Sequence, residues 1–400
     1  MNLTLNSKVS LVPLEIRKDT KNYIVEDKIY GEFYEMPKIC IDALNLICDG
    51  LPLGKIQIKL TSKYPEEDVD ILDFAEQLLD MKLIANIDGI PFEQKQKPKP
   101  KLKPINKLQG FTWITPQLGQ FFFNNLSFFV YIALFVISVT LCIKKPALFP
   151  HYKDLFLTEY MTINIPVWLF LTFFLVLIHE FGHVLAMRAY NLPAKLEVGH
   201  RLFLVVLETD MSSVWKLPSK DRNILYFSGI CFDTVILSGA LITQLVLGDG
   251  AGISNSIMKM IVLDTFIRIV YQLCIYMKTD LYYVFENVSG CYNLMENAQH
   301  LISTKLPFVH KNINKDPFFA GERKIVILYS IFYSIGVVLT VALYFTFYIP
   351  QILFAWKKVL PGFTYEISSY AFWDAFAFSL QIIIGLALLL YSWRKKYVQR

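Results

Sequence analysis

The sequence predicts a multipass α-helical membrane protein of about six transmembrane helices, preceded by a small polar α+β domain. Three observations carry this. Of 400 residues, 54% are hydrophobic and 18% charged, whereas an ordinary soluble chain is about a quarter charged. Residues 1–110 are 30% charged and residues 111–400 only 14%. Beyond residue 110, six apolar runs approach the roughly 20 residues needed to cross a bilayer. A disordered chain is excluded by the apolar content. A disulfide framework is excluded because Cys40, Cys48, Cys142, Cys231, Cys274 and Cys291 are scattered without CxxC spacing.

In the polar domain, residues 1–92, β and α signals alternate over residues 22–92. Asn22–Val25 and Ile29–Tyr34 read as a hairpin around Glu26-Asp27. Met36–Cys48 carries Ile39, Ala43, Leu44 and Ile47 at helical spacing and is stopped by Asp49-Gly50. Leu53–Ser62 reads as a short helix, and Glu66–Met81 as a third with Val69, Leu72, Ala75, Leu78 and Leu79 on one face. Leu83–Phe92 closes as a hairpin around Asp88-Gly89. That order is a winged-helix arrangement. Residues 1–90 nevertheless hold 10 Lys/Arg against 16 Asp/Glu, the wrong sign for phosphate binding, so a nucleic-acid partner is not expected.

Residues 93–120 form a basic Lys/Pro linker. Glu93–Lys107 holds six Lys, and Pro98, Pro100 and Pro104 favour an extended conformation. The linker is a solvated spacer or touches anionic membrane lipid.

The membrane domain, 121–400, has spans at Leu126–Ile143, Val167–Tyr190, Ile224–Leu247, Ile257–Val284, Ile325–Ile349 and Ala371–Trp393. No signal peptide is expected, since the first 30 residues are charged and lack an apolar core. The linker, the loops 191–223 and 286–324 and the C-terminal tail hold twenty Lys/Arg, against five in 144–166, 248–256 and 350–370. By the positive-inside rule both termini are cytoplasmic in a cell membrane.

The second span contains His179-Glu180-Phe181-Gly182-His183, an HExxH motif. Two His at i and i+4 share a helix face and can hold one zinc ion per chain, while Glu180 can take a proton from water activated there. Three ionisable side chains are costly in a membrane helix and persist where they face a polar cavity or partner. The plainer alternative is two buried His satisfied by neighbouring helices. A catalytic zinc takes a third protein ligand. Asp264 has Arg268 one turn on, and an ion pair explains it without metal. Asp233 and Asp280 remain, and depth within the spans slightly favours Asp233 unless Phe285 and Val288 extend the fourth helix.

Lys195–Thr209 alternates partially and is rich in β-branched and aliphatic residues, so it reads as strand. Leu196, Val198, Leu202 and Leu204 are the candidate edge strand that would hold substrate by strand addition; a hairpin that merely closes the bundle fits the pattern equally. His200 in this loop reads as structural.

The HEFGH motif, followed two spans later by Lys278-Thr279-Asp280-Leu281-Tyr282-Tyr283, resembles the site-2 protease family of intramembrane zinc metallopeptidases. More narrowly it is similar to a bacterial branch of peptide zinc metalloproteases. Leu204–Pro218, Ser228-Gly229-Ile230 and Asn293-Leu294 also resemble that branch, so the likeness covers roughly 165–300. It implies His179, His183 and Asp280 as zinc ligands, Glu180 as the catalytic base, and Asp233 as a supporting residue. Leu281 stands where the branch has Gly, and its Asn-Pro before the Asp is absent. The stretch Glu35–Ile84 is similar to the PqqD-like fold, the peptide-recognition element for ribosomally made, modified peptides. It resembles that fold in its helix ending at Asp49-Gly50, the Tyr64-Pro65 break and the long helix that follows. This implies a leader peptide bound as an added strand; the alternative is a degenerate domain that only packs.

Together these readings imply a membrane zinc endopeptidase that cleaves a modified-peptide precursor, with a peptide exporter as a further partner. Regulatory intramembrane proteolysis of a single-span protein is the second expectation. A non-catalytic transport or immunity protein is the third.

Overall fold

The computed structural model describes residues 3–91, 110–201, 204–248, 252–305 and 319–398. The chain separates into two compact units, Met1–Lys107 with Trp215–Ser219, and Leu108–Val214 with Lys220–Arg400. Most of the Lys/Pro linker lies outside the described residues.

In the first unit the order is β1 (Val9–Leu11), β2 (Leu14–Lys18), β3 (Tyr23–Asp27), β4 (Phe33–Met36), α1 (Lys38–Cys48), α2 (Leu53–Lys63), α3 (Ile71–Asp80), β5 (Ile84–Ile87) and β6 (Ile90–Pro91). Two three-stranded sheets form, in the orders β2-β3-β4 and β1-β5-β6. The three helices fall where the apolar spacing predicts them. Pro37 and Pro52 precede α1 and α2, and Gly50 after α1 takes a left-handed φ of 75°, which favours Gly. The third helix is shorter than its pattern. It begins at Ile71 because the Asp70 carboxylate accepts from the N–H groups of Leu72 and Asp73 and so caps it there. The turn at Asp88-Gly89 has φ of 51° and 80°, as a tight two-residue hairpin requires. The strands β1 and β2 are additions to the pattern read from the sequence. The core is Val25, Leu44, Leu53, Ile56, Ala75, Leu78 and Leu83, all fully buried. At its margin Asp42 accepts from Lys63 and Tyr64 and pairs with Lys38. Burial opposes its ionisation, but these three partners hold its carboxyl down at about 2.

In the second unit α4 (Pro116–Phe122), α5 (Asn125–Lys144) and α6 (Met161–Ala189) are followed by the hairpin β7 (Leu196–Arg201) and β8 (Leu204–Thr209). Then come α7 (Ser219–Leu247), α8 (Ile253–Tyr271), α9 (Asp280–Ser289), α10 (Leu294–Lys305), α11 (Arg323–Leu343), α12 (Ile349–Val359) and α13 (Tyr370–Val398). Five helical stretches among the described residues are long and apolar enough to cross a membrane: Asn125–Lys144, Met161–Ala189, Ser219–Leu247, Arg323–Thr364 and Tyr370–Tyr391.

The fourth expected span corrects the sequence reading. Ile257–Val284 is not one helix. α8 stops at Tyr271 and carries Lys259, Asp264 and Arg268. The chain then breaks through Lys278, a non-glycine residue at φ 54°, and restarts as α9, with Asp280 its first residue rather than a residue near a helix end. The break stands because side chains satisfy its backbone. Thr279 Oγ1 donates to the Gln272 carbonyl at 2.8 Å, and the Asp280 N–H donates to Gln272 Oε1 at 3.0 Å. Tyr282, Leu294, Ala298, Val326 and Tyr329 bury together and fix α9 against α10 and α11. The last span also supports the second. Asp374 on α13 accepts from the Thr162 N–H at 2.7 Å and from its hydroxyl, capping the first turn of α6.

Candidate metal centre

The 29-residue α6, roughly 43 Å long, carries His179, Glu180 and His183 in its C-terminal half. It lies close to α7 at Gly182, where a Cβ would meet the Ser228 carbonyl oxygen at 2.7 Å. That closeness brings Leu225, Ser228, Gly229 and Asp233 of α7 onto the histidines. His179, Glu180, His183, Asp233 and Asp280 are each at most 6% exposed, so their charges and lone pairs must be answered within the protein.

Hydrogen bonding places a proton on Nδ1 of both histidines. His183 Nδ1 lies 2.9 Å from the Leu225 carbonyl oxygen and 3.0 Å from Ser228 Oγ. A carbonyl can only accept, so Nδ1 carries a proton. His179 Nδ1 lies 2.8 Å from Asp233 Oδ2, and a carboxylate oxygen accepts, so this Nδ1 carries a proton as well. The two Nε2 atoms then face one carboxylate oxygen, Asp280 Oδ2, at 3.1 Å from His179 and 3.4 Å from His183. Gln272 Nε2 donates to that oxygen at 3.0 Å. Asp280 and Asp233 thus occupy opposite sides of His179.

Either a proton on Nε2 or a metal cation answers the Asp280 oxygen here, and two imidazoles with a carboxylate are a donor set suited to zinc. His179, Glu180 and His183 offer ligand atoms that all lie within 4.8 Å of one another. Space is kept for an ion as well. A Cβ built on Gly229 would stand 2.4 Å from His179 Nε2 and 2.6 Å from His183 Nε2, so only glycine leaves that point open. The residues fit a divalent metal.

Glu180 stands beside this point, its Oε1 4.0 Å from His179 Nε2. Thr209, the last residue of β8, donates its hydroxyl to Glu180 Oε2 at 2.8 Å, which leaves Oε1 turned to the histidines. No family of known proteins, no curated protein and no solved structure matches this chain. The chemistry open to the site therefore follows from its own geometry.

The loop reading is corrected in one respect. Lys195–Thr209 is two antiparallel strands, registered from Leu196↔Thr209 to Arg201↔Leu204, so Leu196 and Val198 lie on β7 and Leu204 on β8. Leu202 lies outside the described residues. The three described residues therefore do not share one edge strand, because β7 and β8 pair with each other across the hairpin. It is β8 that reaches the site, through Thr209.

Asp264 forms the expected pair, 2.7 Å from Arg268. Thr209 and Gln272 are site residues that the sequence gives no role, and Gly229 enters it only within the resemblance at Ser228-Gly229-Ile230. Their signals are weak: a Thr ending a strand, a Gly four residues before Asp233, and a Gln eight before Asp280. On α9, Glu286 is buried and accepts from the Tyr282 hydroxyl and the Leu294 N–H. Burial pushes its carboxyl up to about 7 against the pull of those donors.

Proposed function

We propose that this chain is a zinc endopeptidase of the cell membrane of a bacterium, one zinc ion per chain, with both termini cytoplasmic. His179, His183 and Asp280 are its ligands and Glu180 its catalytic base. The observation that supports this most is that two Nε2 atoms meet one Asp280 oxygen at 3.1 and 3.4 Å, with Glu180 beside them and Gly229 leaving room against both rings. Asp233 is less suited as a ligand, since it engages the opposite ring nitrogen of His179.

Zinc supplies Lewis-acid activation of water and polarisation of the scissile carbonyl. The chain's own residues do the rest. Glu180, held by Thr209, takes the proton of the attacking water and delivers it to the departing amine. Asp233 keeps His179 in the tautomer whose Nε2 is free. Gln272 holds the Asp280 carboxylate in place.

The substrate in this reading is a ribosomally made, modified peptide precursor. Its leader binds the acidic N-terminal unit and is removed in step with a peptide exporter. The helix order of that unit and its two short open-edged sheets support strand addition. The test is mass spectrometry of a candidate precursor co-expressed with the full chain. Wild type yields the cleaved product and Glu180→Gln leaves the precursor intact. Cleavage by both variants would reject the catalytic assignment, whereas cleavage only of a single-span membrane protein would move the substrate to regulatory proteolysis.

A further inference from the structure

Asp233, one of the five buried groups of the site, is not left to His179 alone. Its two oxygens are divided. Oδ2 meets His179 Nδ1 at 2.8 Å, and Oδ1 faces Arg268 Nε of α8 at 3.7 Å. Arg268 NH2 in turn donates to Asp264 Oδ2 at 2.7 Å, and Asp264 Oδ1 accepts from the Thr172 hydroxyl at 2.6 Å. Thr172 stands on α6, seven residues before His179, and seven residues is close to two full turns. The chain Thr172–Asp264–Arg268–Asp233–His179 therefore leaves α6, passes through α8 and α7, and returns to the same face of α6.

The i,i+4 pair of Asp264 and Arg268 alone would be a local device to hide two largely buried charges. The closed circuit does more. A carboxylate that is 1% exposed and has only an imidazole for company is poorly compensated, and its torsion is free to swing an oxygen away from the ring. A guanidinium 3.7 Å from the other oxygen, beyond hydrogen-bond length, answers its charge and draws that oxygen towards α8. Asp264, anchored by Thr172, holds the guanidinium in turn.

We infer that Arg268 is a positioning residue for the metal centre: clamped by Asp264 and Thr172, it sets the Asp233 carboxylate that orients His179, so metal affinity depends on a side chain that touches no ligand. This rests on the proposed metal site but not on the reaction or the substrate. Partners of a ligand's far nitrogen typically govern metal affinity by about 10- to 100-fold, and the circuit extends that control one residue outward.

The test is metal binding by the purified full chain in detergent, read by zinc affinity against a competing chelator and by the visible spectrum of the cobalt-substituted protein. Arg268→Gln weakens affinity by about 10- to 100-fold and changes the cobalt spectrum, while Arg268→Lys, which keeps a cation at Asp233, recovers most of both. Asp264→Asn gives an intermediate loss. If wild type binds metal but Arg268→Gln matches its affinity and spectrum, the inference is overturned even where the melting temperature falls, since a purely structural ion pair would do that. Equal losses in Arg268→Gln and Arg268→Lys would also overturn it. A wild type that binds no metal at all instead rejects the metal site beneath it.

Discussion

The Thr209 hydroxyl donates to Glu180 Oε2 at 2.8 Å, joining the end of a β-hairpin to the motif's own carboxylate beside the paired histidines. This bond chooses which Glu180 oxygen is free. Thr209→Val removes the donor at nearly constant shape. Turnover is expected to fall about 10- to 100-fold with zinc content unchanged, measured as precursor cleavage and metal analysis on the same preparation. Unchanged turnover would show that the hairpin does not position Glu180.

Gly229 gives a steric test. In Gly229→Ala the new methyl would fall 2.4 to 2.6 Å from both Nε2 atoms, closer than atoms pack. Zinc affinity is expected to drop by at least about tenfold, while the melting temperature of the metal-free protein stays within a few degrees. Full zinc loading would place the ion elsewhere.

Glu286 makes stability depend on pH. Its folded pKa of about 7 lies above the ordinary value of about 4.3, so the folded state holds the proton longer than the unfolded one. Stability is then highest below about pH 4 and is lost as pH rises towards 7, by of order 2 kcal/mol. Glu286→Gln flattens that decline in melting temperature, and equal slopes for both proteins would contradict the assignment.

Asp42 has the opposite sign. With a folded pKa of about 2, it contributes stability that is present above about pH 4 and lost as pH falls towards 2. Its lysine partners are half exposed, so the contribution is discounted to about 1 kcal/mol. Peptic nicking between α1 and α2 is expected to accelerate on acidification in wild type. In Asp42→Asn it is already fast and nearly flat over the same range.

The membrane character and three of the N-terminal helices were legible in the sequence because composition and helical spacing are local properties. HExxH was legible because i and i+4 put two imidazoles on one helix face whatever surrounds them. The break at Gln272–Thr279 was not. Its apolar residues continue the hydropathy of α8, and what stops the helix is a set of side-chain bonds to backbone groups across seven to eight residues. β1 and β2 escape a pattern reading because each is short and only partly buried. Gly229 and Thr209 gain meaning only when α6, α7 and β8 are side by side, and Arg268 only when both acidic partners are seen at once.

A catalytic zinc held by His179, His183 and Asp280 stands or falls with the zinc content of the purified full chain, wild type beside His183→Ala. About one zinc per chain in wild type, lost in His183→Ala, is the expected result. A wild type with no tightly held metal, or a His183→Ala protein that keeps it, would contradict the assignment.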